Sequence, residues 1–204
     1  GNFSNYSLVH GHGLDNYELY INGLTKTRKR VPFLVSTPKD FANEVTVSKL
    51  RTYCKVNRLD ILAIDGITYM TDERSKRTDN RTTELTHISE DLMTLSIELN
   101  IPVLVVVQAN REGARDGKNP ELENVRDSDG ISHNASLVIS LMQKNVGLNM
   151  SIKKNRNGIT GTDLTYAWDI DKGVFSYIPS GDTDAEATEN LKKEYDDPKN
   201  PYNF

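Results

Sequence analysis

The run Ile101-Pro-Val-Leu-Val-Val-Val107 most narrows the folds open to this chain. An almost wholly apolar strand has no side to offer water, so both faces must be covered. That is the habit of strands in parallel sheets with helices on each side. The segment before it carries Leu85, Ile88, Leu92, Leu95 and Leu99 at alternating steps of three and four residues. This spacing predicts one apolar helical stripe, ended by Asn100 and Pro102. Upstream, Leu59 to Ile64 reads as a second apolar strand, stopping at Asp65-Gly66. Strand, helix, strand of this kind predicts the α/β class, with a mostly parallel sheet flanked by helices.

The remaining elements are placed around that unit. A helix is predicted from Asp15 to Leu24, and Pro32 to Ser36 reads as a short buried strand. Val47, Leu50 and Cys54 share one helical face, predicting an amphipathic helix over Glu44–Val56. Two polar loops follow the first two apolar strands, from Thr71 to Thr83 and from Asn110 to Asp129. Leu137 to Met142 reads as a further buried strand. Asn149–Lys154 and Asp163–Asp169 read as an antiparallel pair, with Val174–Ile178 at the sheet edge. From Pro179 periodicity is lost and acidic residues accumulate, so residues 1–178 are expected to form one domain and 179–204 a flexible acidic tail.

Length and composition set outer limits. A chain of 204 residues can bury one good core. A single cysteine, Cys54, excludes an internal disulfide framework and fits a reducing compartment; its place on the helical face makes it a core residue sooner than a nucleophile. A net charge of −4 argues against a generic basic nucleic-acid binder, though cations gathered on a few loops remain open. No apolar run reaches the roughly 20 residues of a membrane span. The first residues have neither the basic nor the apolar region of a secretory leader, so a cytoplasmic protein is expected. The chain does not begin with Met and reads as a fragment or a processed product.

In an open α/β sheet, ligands gather at the carboxyl ends of the strands. Asp65 stands at one such end, suited to holding magnesium through its water shell beside phosphates; capping or turn formation is the rival use. Gln108 ends the next strand. Its neutral amide can bond a terminal phosphate or an attacking water, or simply satisfy the loop backbone. Arg126, with Asp127, Ser128 and Gly130, forms a loop suited to reading a phosphate backbone or to plain solvation. Met150, Ile152 and Lys154 alternate along a strand that ends in Lys154 and Arg156, before an Asn157-Gly158 turn. A rigid guanidinium there can reach a phosphate on another molecule, or can be part of a solvated basic hairpin. His133 stands without ligand partners at metal spacing. His10 and His12, in V-H-G-H-G, do not make a site, so no cluster of metal ligands is assigned.

In order, I-L-A-I-D, the leucine-striped helix, E-L-N-I-P-V-L-V-V-V-Q-A-N-R, N-V-R-D-S-D-G-I-S-H-N-A-S-L-V-I and K-K-N-R-N-G-I-T-G-T resemble the C-terminal motor domain of DnaB-type replicative helicases. The resemblance runs from about Val31 to Tyr177. It implies a RecA-like fold, a homo-hexameric ring with ATP and Mg sites between subunits, single-stranded DNA in the channel, and a primase and a helicase loader as further partners. Its divergence suggests a phage-encoded member. By position, Asp65 matches the Walker B aspartate and Gln108 the γ-phosphate-sensing glutamine. Arg156 matches the arginine finger given to a neighbouring subunit's ATP, and Lys154 its companion cation. Arg126, Asp127 and Asp129 match the loop that contacts the DNA backbone. Where this chain has Asp129 the family more often has glycine, with Gly130 displaced by one.

The family's P-loop, G-x-x-x-x-G-K-[ST], is absent from these 204 residues. Without its lysine and amides little holds the β- and γ-phosphates, so the isolated chain is expected not to hydrolyse ATP. Two alternatives stand beside a motor-domain fragment. One is a naturally P-loop-less module that binds or regulates a partner ring. The other, weaker, is a recombinase or clock-type ATPase of the wider RecA class.

Overall fold

The computed structural model describes residues 3–27, 32–75, 80–109, 120–122, 129–144, 147–169 and 171–178. In chain order its elements are α1 (Asn5–Val9), α2 (Leu14–Thr27), α3 (Val47–Asn57), β1 (Leu62–Asp65), α4 (Arg81–Leu99), β2 (Val103–Val106), α5 (Asp129–Asn134), β3 (Leu137–Lys144), β4 (Gly147–Asn155), β5 (Asp163–Asp169) and β6 (Val174–Ile178). Short 3-10 turns occupy Pro38–Phe41 and Ile67–Tyr69. The chain divides into two units, one of Gly1–Leu34, Leu141–Met150 and Asp163–Phe204, the other of Val35–Ser140 and Ser151–Thr162.

The second unit holds the parallel arrangement expected from the sequence. β1 and β2 pair in parallel, with Leu62 opposite Val103 and Asp65 opposite Val106. The helical stripe forms as its spacing requires: Leu85, Ile88, Leu92 and Leu95 of α4 are buried, together with Val47, Leu50 and Cys54 of α3. Leu62, Ile67, Met70 and Ile131 complete that core, and Ile64, Val103 and Val105 pack against it. Each helix starts on a side-chain cap. Thr46 Oγ1 accepts from the Lys49 amide at 3.3 Å, and Asn80 Oδ1 from the Thr83 amide at 2.9 Å. Both end on a left-handed residue, Arg58 and Asn100, each at φ 52°.

Three strand expectations need correction. β2 is covered on one face only: Val103 and Val105 turn to the core, while Leu104 and Val106 are 58% and 51% exposed. The core helices cover one side of the β1–β2 pair, and alternation along the strand sends every second residue to the other. Residues 32–36 form no strand, and Phe33 is 86% exposed. A strand needs a hydrogen-bonded partner, and apolar composition alone does not supply one. β3 forms, but Leu137, Ile139 and Leu141 are exposed, again because alternate residues leave one covered face.

The strand order β3-β4-β5-β6 places β6 at an edge, as the sequence suggested. β5 and β6 pair antiparallel with Trp168 opposite Phe175 and Tyr166 opposite Tyr177, and both pairs make ring contacts, at 5.3 and 5.7 Å between centroids. Asp171, in the turn between them, receives α1: the Asn5 amide donates to its carbonyl at 2.7 Å and the Tyr6 amide to its carboxylate at 2.8 Å. Phe3 packs on Tyr17 and Tyr20 of α2. The tail 179–204 lies outside the described residues. No helix among the described residues is long and apolar enough to cross a membrane.

Candidate functional site

The parallel register brings Asp65 and Gln108 to the same ends of neighbouring strands. Asp65 closes β1 opposite Val106, and Gln108 follows two residues later; both are exposed. The chain leaves Asp65 through Gly66 at φ 89°, where a Cβ would lie 2.7 Å from the Tyr69 ring. Only glycine suits both that backbone and that approach. Ile67 then plugs the core at 1% exposure, which fixes the strand end from below. A carboxylate beside an amide at such a rim can orient a hydrated cation and a phosphate oxygen. No group of three or more His, Cys, Asp or Glu able to hold a metal occurs among the described residues. Asp65 offers the single carboxylate that a hydrated magnesium beside phosphates commonly takes, that ion keeping most of its waters.

The basic turn is built on β4. The Ile152 amide donates to Thr162 O at 3.0 Å and the Gly161 amide to Ile152 O at 2.8 Å, closing the hairpin expected from the sequence. The Asn157 amide donates to Asn155 Oδ1 at 3.2 Å and tightens the tip. Past the strand, the Arg156 amide donates to Ser136 O at 2.9 Å. The two cations turn back onto their own chain. Lys154 Nζ donates to Ser132 O at 2.9 Å and His133 O at 2.6 Å, and the Arg156 guanidinium to His133 O at 2.9 Å and Asn134 O at 3.4 Å. Burial and the Arg156 charge beside it hold the Lys154 ammonium below the usual lysine range.

These carbonyls end α5, which α4 grips from another direction. Asn134 Nδ2 donates to Ser89 Oγ at 2.7 Å, and a Cβ at Gly130 would lie 2.4 Å from Thr86 Oγ1. Arg126 and Asp127 lie outside the described residues. Asp129 opens α5, and its side chain is likewise outside the description. Sequence reasoning missed Lys153. It points away from Lys154, as strand alternation requires, and bonds Glu121 Oε1 at 2.6 Å.

It also missed a buried polar cluster. The Asp72 carboxylate accepts from the Arg74 amide at 3.0 Å and Ser75 Oγ at 3.0 Å, and stands 2.8 Å from His87 Nδ1. Burial pushes the Asp72 carboxyl up, but those hydrogen bonds outweigh it and hold it below the usual carboxylate range. Nothing in T-D-E-R-S distinguishes Asp72 from its charged neighbours, so the sequence carries no signal for it. His10 rests its ring on Tyr6, with Nδ1 2.8 Å from Tyr6 O.

With this geometry in place, the likenesses to known proteins are specific. The family model "DnaB-like helicase C terminal domain" matches residues 12–174. A probable plasmid replicative DNA helicase of Chlamydia trachomatis serovar L2 is 29% identical over 136 residues, covering 65% of this chain and 30% of that protein. The chain thus spans under a third of that relative's length. Among solved structures, an ATPase domain aligns with a TM-score of 0.60 at 22% identity, over 66% of this chain and 52% of that one. A DnaB-like replicative helicase, solved in a study of its interactions with primase, aligns at 0.58 and 22%, over 65% and 36%. The last two likenesses establish the RecA-like fold expected from the sequence.

Proposed function

The chain belongs to the DnaB-like helicase C-terminal domain family, and from that premise we propose that it is part of a replicative helicase motor. In that role it couples ATP hydrolysis at hexamer interfaces to movement along single-stranded DNA and to duplex unwinding. Residues 1–178 are its share of the motor domain, and 179–204 an acidic tail. The observation that carries the reading is the placement of Asp65 and Gln108 at the same ends of adjacent parallel strands, with two cations, Lys154 and Arg156, at the end of β4 and just past it.

Asp65 anchors the hydrated magnesium. That ion, when bound, neutralises charge on the transferring phosphate. Gln108 orients the terminal phosphate or the attacking water without adding charge. Arg156 and Lys154 serve a neighbouring subunit's ATP, the guanidinium meeting phosphate oxygens in a fork and the ammonium as a point charge. Arg126, Asp127 and Asp129 belong to the segment that tracks the DNA backbone, and contacts of that kind make affinity fall steeply with salt. A primase, as for the DnaB-like structural neighbour, and a helicase loader are the partners this reading admits.

The sequence contains no G-x-x-x-x-G-K-[ST], so the chain alone does not turn over ATP, and its cations act in trans. The test mixes this chain with a P-loop-competent homologue whose own arginine finger is disabled, after mixed assembly is verified, and reads DNA-stimulated ATPase. Restored turnover that vanishes with Arg156→Ala supports the assignment; mixed rings without turnover overturn it. A P-loop upstream in the encoding reading frame would separate the motor reading from a P-loop-less regulatory module.

A further inference from the structure

α5 is too short to hold itself together, and its last carbonyls have no intrahelical donors. What satisfies them is unusual in kind. Ser132 O, His133 O and Asn134 O all receive hydrogen bonds from the two cations at the end of β4, and His133 O receives one from each. Positive charge at a helix C-terminus opposes the negative end of its dipole, so these contacts hold α5 in place electrostatically as well as by hydrogen bonding. Its other anchors are the Gly130–Thr86 contact, the Asn134–Ser89 hydrogen bond and the buried Ile131 and Ser132.

The same two cations are those assigned above to a phosphate, and they cannot serve both partners fully. A carbonyl offers a partial charge, whereas a phosphate offers full charges and a geometry that a guanidinium meets in a fork. Two cations sharing one carbonyl also repel each other, and a polyanion between them removes that cost. Burial and this crowding by Arg156 together depress the proton affinity of Lys154.

We propose that Lys154 and Arg156 form a two-position latch, bound to the α5 carbonyls of their own chain until a polyphosphate presented by a second molecule draws them off and uncaps α5. The inference rests on the reading of Arg156 as a phosphate ligand and adds a consequence to it. Capture of a neighbour's phosphate loosens the helix that begins at Asp129, at the end of the segment assigned to DNA. Occupancy at one subunit's nucleotide thereby reaches the DNA contact of the subunit that donates the cations.

Hydrogen–deuterium exchange on the 204-residue chain tests this without any partner ring, so its outcome is independent of the mixed-ring ATPase. The probe is sodium tripolyphosphate, with sodium chloride at equal ionic strength as control. Peptides covering residues 131–136 are expected to exchange about threefold faster or more in Arg156→Ala, and in the unmodified chain with tripolyphosphate. Those covering residues 89–99 of α4 should stay unchanged. Arg156→Lys keeps a cation and should recover part of the protection. If Arg156→Ala does not fold, judged by α4 protection, the tripolyphosphate and Arg156→Lys arms carry the test. The latch is overturned if tripolyphosphate acts no more than chloride. It is also overturned if its effect persists in a Lys154→Ala/Arg156→Ala double variant, or if a folded Arg156→Ala leaves residues 131–136 as protected as before.

Discussion

Lys153 Nζ lies 2.6 Å from Glu121 Oε1, on the opposite side of β4 from the cation that follows it in sequence. One strand therefore ties down residue 121 with one lysine and residues 132–133 with the next. Lys153 is 15% exposed at its side chain but Glu121 is 59% exposed, so solvent screens much of the attraction. A double-mutant cycle with Lys153→Glu, Glu121→Lys and the exchanged pair should give a coupling of about 0.5 kcal/mol in urea unfolding. The coupling should shrink in about 1 M salt. Single reversals as stable as the exchanged pair would mean that the contact does not order this stem.

Gly130 is where α5 meets α4 most closely. An added methyl would stand 2.4 to 2.9 Å from three atoms of Thr86, including its Cβ, which no rotation of that side chain removes. Gly130→Ala should therefore cost about 1–3 kcal/mol, as overpacking does, despite alanine's better helix propensity. Gly130→Ala combined with Thr86→Gly should recover most of that loss in urea midpoints. A neutral Gly130→Ala would show that α5 shifts freely on α4.

These contacts mark where sequence reading stops. The faces of α3 and α4 were legible because helical spacing reports directly which residues share a side, and Val47, Leu50, Cys54 and Leu85 through Leu95 are buried accordingly. The parallel pairing of β1 and β2 followed from strand-helix-strand order. Apolar composition in 32–36 and in β2 carries no information on whether a partner strand or a second covering layer is present, so neither outcome could be read from it. Asp65 and Gln108 announced their place at strand ends because a polar residue after an apolar run is a local signal. The turning of Lys154 and Arg156 onto carbonyls more than 20 residues earlier is a tertiary fact with no local trace. The same holds for Asp72, which meets His87 across 15 residues of chain.

Asp72 gives the fold an acid-sensitive joint. Its side chain is 1% exposed, and its folded-state proton affinity lies below that of an ordinary aspartate, about 3.9 in an unfolded chain. The folded state therefore binds fewer protons than the unfolded one in that range. The stabilisation is complete above the unfolded value and is lost as pH falls through the lower folded one. Unfolding free energy measured between about pH 6 and about pH 2 should fall more steeply for the unmodified chain than for Asp72→Asn, which has no such proton to bind. The difference between the two curves isolates Asp72 from Asp40, Glu73, Glu98 and Asp171, whose carboxyls are also held low. Parallel curves would assign the acid response to those groups instead.

Asp65 separates a functional from a structural carboxylate. It is exposed at the end of β1, and the turn that follows is shaped by Gly66 and anchored by the buried Ile67. If its work were to cap or steady that turn, Asp65→Ala would cost about 1 kcal/mol, as loss of a cap does. If its work is to hold a hydrated magnesium beside a phosphate, the folded chain in the absence of nucleotide has no use for the charge. Asp65→Ala should then leave the unfolding free energy in urea within about 0.5 kcal/mol of the unmodified chain. Removing a like-charged exposed carboxylate can even stabilise slightly in a chain of net charge −4. In the ring proposed above, the same substitution should abolish ATP turnover while subunit assembly persists. Asp65→Glu should recover little of that turnover, because a longer carboxylate misplaces an ion that demands near-ideal octahedral geometry. Loss of stability together with retained turnover would return Asp65 to a structural role and leave Gln108 without its proposed partner.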